Sequence, residues 1–166
     1  MSSHKTDLEY LNIINKYINN ENFQQTKDIE HHGITRFEHS LKVSYYSYKV
    51  AKALKLDYKE TAIGGLLHDF FISDNKTNIE RVESVFTHPK LALKTAENEF
   101  DLTTKEKDMI RSHMFPLNLS VPKYMESWIV SLTDKCIAFG ELSLKFRFKV
   151  KYAYNLLLLF MIGVIK

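Results

Sequence analysis

The 166-residue chain contains few of the residues that cross-link or interrupt a polypeptide. Cys136 is the single cysteine, so an intramolecular disulfide is impossible and a reducing compartment fits best. Three prolines and five glycines are too few for a turn-rich β fold and suit long helices. The first residues also lack the apolar stretch of a signal peptide. We therefore expect a cytoplasmic, all-α protein.

A strong excess of one charge is also lacking. The net charge is only +3, whereas a nucleic-acid-binding domain is usually much more basic. The hydrophobic fraction of 45% and the charged fraction of 26% are those of an ordinary globular domain, and the length suffices for one core. The composition gives no strong nucleic-acid signal but is compatible with a small anionic substrate.

The longest apolar run covers residues 156–165, about half of the ~20 residues needed to cross a bilayer. Upstream, basic and apolar residues alternate over 145–152. We predict a helical domain over 1–139, followed over 140–166 by a basic, aromatic segment and an apolar C-terminal helix packed on that domain. Period-two alternation is also typical of a strand, so 145–166 is alternatively a self-association or peripheral membrane segment.

Several helix starts are marked by a capping box, in which two side chains satisfy free backbone N–H groups reciprocally. The pattern occurs at Thr6 with Glu9, Thr35 with Glu38, Asp57 with Glu60, and Thr103 with Glu106. Pro89 and Pro122 suit the first turns of two further helices. The sequence predicts helices over 7–20, 36–55, 58–72, 89–99, 104–113, 123–139 and 153–164.

The hydrophobic pattern predicts which helix faces are buried. In the second helix the expected buried stripe is His39, Val43, Tyr46, Val50 and Ala53. In the helix over 123–139 two apolar stripes are expected: one of Met125, Trp128, Ile129, Leu132 and Cys136, and one of Val130, Asp134 and Ile137. Cys136 is accordingly expected to be a small core residue.

The helix over 58–72 is apolar nearly all round and therefore predicted to be buried. Its adjacent Gly64 and Gly65 cost about 2 kcal/mol relative to alanine, which a closely approaching helix would offset. Asp69 then lies in a dry interior, where an ionised carboxylate needs a cation or a strong donor. Asp134 raises the same requirement.

Five helices each deliver a histidine or an aspartate at similar spacing along the chain. A lone inward histidine is more often a hydrogen-bonded core residue, and a lone buried aspartate often caps a helix or pairs with a basic residue. One metal centre explains the whole set together, because first-row divalent metals prefer imidazole and carboxylate ligands. The candidate ligands are His39, His68, Asp69, His88, His113 and Asp134.

The order and context of these residues resemble the HD-domain superfamily of metal-dependent phosphohydrolases. The resemblance covers about residues 31–137 and is carried by Arg36-Phe-Glu-His39-Ser, Gly65-Leu-Leu-His68-Asp69 and Leu132-Thr-Asp134-Lys. The additional His88 and His113 are similar to those of branches that hold two metals, such as symmetrical diadenosine tetraphosphate hydrolases and cyclic-di-nucleotide phosphodiesterases. The Gly-Tyr-Pro motif of the latter is absent. Longer stretches look most like small bacterial HD proteins without an assigned substrate.

The resemblance implies a compact HD-type helical bundle that hydrolyses a nucleotide or other phosphate ester through a metal-activated hydroxide. His39, His68, Asp69 and Asp134 would hold one ion, and the catalytic Asp69 would bridge to a second ion on His88 and His113. Such a pocket suits Fe or Mn, with Co, Ni, Zn or Mg as alternatives. The expected substrate contacts are Arg36, Lys135 and His32; His31 is a weaker candidate for this role.

Two other functions are compatible with the same pattern. Certain HD proteins with a similar ligand set are di-iron oxygenases, and the ligands alone do not separate the two chemistries. A nucleotide-binding regulatory module that reports to a partner through the C-terminal segment is the other alternative. Retention of every expected ligand argues against a protein that has lost its metal.

Overall fold

The computed structural model describes residues 7–31, 34–72 and 78–143, with the backbone alone at 30–31 and 78–85. A 3₁₀ turn, Gln25–Asp28, leads into a two-residue antiparallel pairing of Glu30–His31 with Ile34–Thr35. Everything else regular in these ranges is helical, which confirms the all-α prediction. The helices are α1 (Leu8–Ile18), α2 (Glu21–Gln24), α3 (Arg36–Ala53), α4 (Tyr58–Leu67), α5 (Asn78–Glu99), α6 (Thr104–Ser112) and α7 (125–143).

Most of the predicted helix starts are correct. Thr35 and Thr103 form complete capping boxes at α3 and α6, and Asp57 caps α4 by accepting from the Glu60 backbone N–H at 3.1 Å. The cap of α1 is Asp7 rather than Thr6, because the Asp7 carboxylate accepts from the Tyr10 N–H at 3.2 Å. Aspartate is among the strongest N-cap residues, so it displaces the predicted start by one position.

The two largest differences from the predicted helix boundaries are at the start of α5 and the end of α4. Helix α5 begins at Asn78, not at Pro89, which is buried inside it. A proline removes one backbone hydrogen bond without ending a helix that has neighbours to pack on. His88 therefore lies within a helix. Helix α4 ends at Leu67 instead of residue 72, and His68 is its C-cap residue.

The buried face of α3 is more polar than its hydrophobic pattern indicates. His39 and Val43 are buried as predicted, but Tyr46 and Val50 are 56% and 42% exposed, and Ala53 is exposed too. Small polar residues occupy the inner face instead, and they let α4 approach closely. A Cβ added at Gly65 would lie 3.1 Å from the Ser44 Cα, which confirms the close approach expected at the two glycines.

The buried face of α7 is likewise a row of mostly polar residues, not the more apolar of its two predicted stripes. Met125 and Leu132 are 59% and 58% exposed, and Cys136 is exposed, so the prediction of a core cysteine is wrong. Within that stripe Ile129 is buried. The inner face of α7 carries Glu126, Ser127, Val130, Ser131, Asp134 and Glu141, most of which have polar partners.

Helix α4 lies at the centre of the fold, where it packs against α1, α3 and α6. Its fully buried Leu66 and Leu67 belong to the main core, in which the Phe23 and Phe70 rings meet edge to face at 5.3 Å. A smaller cluster of Val43, Met109 and Val130 joins α3, α6 and α7. These contacts place α4 between the helices that carry the other predicted ligands.

The predictions for the C-terminal segment fall mainly outside the described residues. These are the helix over 153–164, its packing on the domain, and the self-association or membrane contact over 145–166. The described part of α7 continues to residue 143, past the boundary predicted at 139. Among the helices within the described ranges, none combines the length and apolar character that would span a bilayer.

Candidate metal centre

The His68–Asp69 pair follows directly on the end of α4. The His68 side chain donates from Nδ1 to the Gly65 carbonyl at 2.8 Å, so Nε2 carries a lone pair. This Nε2 atom is buried and makes no hydrogen bond within the described structure; the Asp134 Oδ1 atom lies 3.6 Å away. A buried nitrogen lone pair without a donor is unfavourable unless a cation completes it.

His113 repeats this arrangement at the end of α6. It is the C-cap residue of that helix, and its Nδ1 donates to the Ile110 carbonyl at 2.8 Å. Complete burial, with His68 and His88 nearby, lowers the pKa of His113 from 6.5 to about 3. His113 is therefore neutral at physiological pH and presents an unprotonated Nε2, which is the form that binds a metal.

His39 is held by two carboxylates instead of a backbone carbonyl. Its Nε2 lies 3.0 Å from the Asp134 Oδ1 atom, and its Nδ1 lies 3.0 Å from the Glu141 Oε2 atom. The His39 ring is fully buried. Glu141 was not among the candidate residues predicted from the sequence, although it lies seven residues after Asp134 and thus on the same face of α7.

The charges of this pair are set by their contacts. Burial raises the pKa of Asp134, but the hydrogen bond from His39 and the nearby imidazoles of His68 and His113 outweigh it and hold the pKa well below its usual range. Burial lowers the pKa of His39, and here too the carboxylate contacts prevail and raise it. Asp134 is consequently an ionised carboxylate, and it lies in the buried position that the sequence predicted.

Asp69 is buried between a guanidinium and an imidazole. Its two oxygens lie 3.5 Å from the Arg36 Nε and 3.5 Å from the His88 Nε2. Arg36 also donates from Nη1 to the Phe71 carbonyl at 2.5 Å, and its guanidinium carbon lies 3.8 Å from the Phe71 ring centre. Burial lowers the pKa of Arg36, and the Asp69 charge opposes this shift. Arg36 therefore borders the centre, while its contact with substrate stays a prediction.

His88 approaches from α5, and 12% of its side chain is exposed, the same fraction as for Asp134. Its Nε2 lies 2.9 Å from the His113 Nε2. Because His113 donates through Nδ1, the His88 Nε2 must be the donor in this hydrogen bond. The His88 ring stacks on Phe71, with ring centres 5.6 Å apart.

The six predicted ligands thus converge, and five of them form two overlapping groups. In each group the candidate ligand atoms lie within 4.8 Å of one another. We call His39, His68 and Asp134 the first cluster, and His68, Asp69 and His113 the second cluster, with His88 at its edge. The division of ligands between two ions and the bridging, catalytic role of Asp69 remain predictions.

The residues of both clusters fit a divalent first-row metal. The first cluster supplies an ionised carboxylate and a buried imidazole lone pair without a hydrogen-bond donor, and the second supplies a neutral, fully buried imidazole. Imidazole with carboxylate is the donor combination that Fe, Mn, Co, Ni and Zn accept. Burying an ionised carboxylate and several imidazoles side by side is unfavourable in an aliphatic core, so their convergence favours a metal site.

The other predicted substrate contacts differ in what the structure describes. Lys135 is half-buried, and its ammonium donates to the Ser131 hydroxyl at 2.7 Å, the His113 carbonyl at 2.8 Å and the Ser131 carbonyl at 3.1 Å. These three acceptors use all three N–H donors of the ammonium. Lys135 therefore stabilises the turn at His113. Its contact with substrate stays a prediction. His32 lies outside the described residues, and only the backbone of His31 is described.

An all-helical fold with a buried histidine–aspartate centre defines a class of metal-binding protein, and comparison with known families identifies it further. The HD domain family matches residues 36–138, more than half of the chain. The chain therefore belongs to the HD-domain family, within the superfamily of metal-dependent phosphohydrolases, which confirms the resemblance seen in the sequence. Comparisons with curated proteins and with solved structures gave no match.

Proposed function

We propose that the protein is a metal-dependent phosphohydrolase that acts on a nucleotide or another small phosphate ester. The observation that carries the proposal is the convergence of six ligand side chains into two clusters that share His68. The family membership supports the reaction class. The mild positive charge of the chain is compatible with an anionic substrate.

We assign one ion to the first cluster, with Asp69 as a further ligand, and a second ion to Asp69, His88 and His113. When bound, two such ions lower the pKa of water to about 7 and stabilise charge on phosphoryl oxygens. Fe or Mn suits the histidine-rich donor set best, with Co, Ni, Zn or Mg as alternatives.

The residues around the ligands exclude water and fix orientations. Gly65 and Ile110 hold His68 and His113 through their carbonyls, so that both Nε2 atoms face the centre. Arg36 lies beside Asp69 and is proposed to hold phosphoryl oxygens, since a guanidinium can grip two oxygens at once. Lys135 and His32 are the other proposed substrate contacts.

The proposal is tested with the full chain purified after loading with Mn²⁺ or Fe²⁺. Elemental analysis should find two ions per chain. When a panel of nucleotides and phosphate monoesters is assayed under anaerobic conditions, the protein should release phosphate from at least one of them. Asp69→Ala should abolish phosphate release. Asp101→Ala, which removes an exposed carboxylate, is the matched control and should retain it.

Other outcomes would separate the alternatives. Turnover that consumes oxygen and releases no phosphate would assign the centre to the di-iron oxygenase branch. Nucleotide binding without turnover by the metal-loaded protein would favour a regulatory module. Full phosphate release by Asp69→Ala would show that the assigned centre is wrong.

A further inference from the structure

Glu141 supports a predicted metal ligand from outside the family match, which ends at residue 138. Its carboxylate is buried, with one oxygen 3.0 Å from the His39 Nδ1 and the other 3.0 Å from the Lys42 Nζ. We propose that Glu141 is a positioning residue that fixes the His39 imidazole as a ligand of the first cluster. The proposal rests on the metal centre assigned above.

The need for Glu141 follows from where His39 lies along its helix. His68 and His113 follow helix ends, where the last carbonyls lack a helical partner and can accept from Nδ1. His39 lies in the first turns of α3, where carbonyls are already bonded within the helix. An acceptor for its Nδ1 must therefore come from another element, and Glu141 on α7 supplies it.

A carboxylate does more than replace a carbonyl. It makes a charge-assisted hydrogen bond with the imidazole, which fixes the tautomer and raises the basicity of the nitrogen that faces the metal. The His39 Nε2 lies 3.0 Å from Asp134 and donates to it; with Nδ1–H held by Glu141, Nε2 is the nitrogen that would give up its proton and bind a metal ion. The carboxylate thus orients the ring and selects its reactive nitrogen.

Lys42 holds the second oxygen of Glu141 and completes the arrangement. Lys42 lies one turn after His39 on α3, so both contacts of Glu141 are made to the same helix. The Lys42 side chain is 45% exposed, whereas the glutamate is buried. Glu141 thereby ties α7 to α3 at the level of the first cluster.

The test measures binding of Co²⁺ alone to the full chain after chelation, by calorimetry and by visible absorption of the bound ion. Glu141→Ala should weaken the first-cluster affinity by about 10–100-fold, the range for a partner behind a ligand. Glu141→Gln keeps an oxygen acceptor without the charge and should lose less, with a shifted absorption band. Glu126→Gln is the matched control, because Glu126 is buried on the same helix but pairs with Lys105.

Wild-type affinity and absorption in a folded Glu141→Gln and a folded Glu141→Ala would overturn the positioning role. An equal loss of affinity in Glu126→Gln would also overturn it, because the effect would then be general to α7. If the alanine variant does not fold, the near-isosteric Glu141→Gln variant alone decides whether Glu141 positions His39. A wild-type chain that binds Co²⁺ but hydrolyses no phosphate ester refutes the proposed reaction alone, whereas one that binds no metal refutes both.

Discussion

The first and second clusters share His68 but are supported in different ways. In the first cluster, His39 depends on Glu141, a side chain about a hundred residues away along the sequence. In the second, His113 depends on a carbonyl of its own helix end. Local backbone geometry therefore supports one half of the centre, and long-range side-chain contacts support the other. The two halves should respond differently to substitution.

The largest effect is expected at Asp69, the proposed ligand of both ions. Asp69→Ala removes a ligand atom from each ion, so both ions should be lost, with affinity reduced by more than about 100-fold, beyond the effect of an outer partner. His88→Ala should affect the second cluster alone and leave one ion per chain. Elemental analysis and Co²⁺ calorimetry measure both. Retention of two ions by Asp69→Ala would refute its proposed role as the ligand of both ions.

A smaller effect is expected in the pH dependence of the free energy of unfolding of chelator-treated protein, where the two clusters differ. The pKa of His113 falls from 6.5 to about 3 on folding, so the unfolded chain binds a proton that the folded one excludes. The contribution of His113 to the free energy of unfolding is therefore present above pH 6.5 and is lost as pH falls towards 3, by a few kcal/mol.

The raised pKa of His39 acts with the opposite sign: its contribution is present at low pH and is lost as pH rises through the folded pKa. Urea denaturation between pH 7 and 4 measures the sum. His113→Gln should flatten the acid side of the profile. An unchanged slope in that variant would assign the acid sensitivity to other groups.

The smallest effect compares the two glycines of α4, which face the helices of the two clusters. A Cβ at Gly65 would meet the backbone of α3 at 3.1 Å, so Gly65→Ala should destabilise the fold by about 1–3 kcal/mol. A Cβ at Gly64 would lie 2.7 Å from the Met109 Sδ, 2.9 Å from its Cε and 3.0 Å from its Cβ; the two nearest atoms belong to the flexible end of the side chain, unlike the backbone met at Gly65. Gly64→Ala should cost less, because alanine also favours the helix. Thermal denaturation ranks the two, and the reverse order would contradict this packing argument.

The convergence of the candidate ligands could be predicted from the sequence, because their residue types are costly to bury singly and recur at helical spacing. Capping side chains gave the starts of α3, α4 and α6 correctly for an equally local reason. The inner faces of α3 and α7 were predicted poorly, since both are lined by serines and acids that hydrophobic periodicity assigns to solvent. Residues such as Ser44 are buried because a neighbouring helix approaches closely there, which depends on tertiary packing.

Glu141 was missed for a related reason. A glutamate late in a helix is usually solvated, and only its i+7 relation to Asp134 places it on the inner face. The start of α5 was also missed, because a proline is compatible with both a first turn and a helix interior. Local sequence thus predicted what each residue prefers, and the assembled helices decided which preferences were overridden.

The unbroken course of α7 through residue 143 has a practical consequence for anyone trimming this protein. A shortened version ending at residue 138, where the family match stops, would retain all six candidate ligands and still lack Glu141, which holds one of them. A truncated protein designed from the boundaries of the family match would thus contain every candidate ligand, but its first cluster would be weakened. A cut for separating the C-terminal region belongs after residue 143.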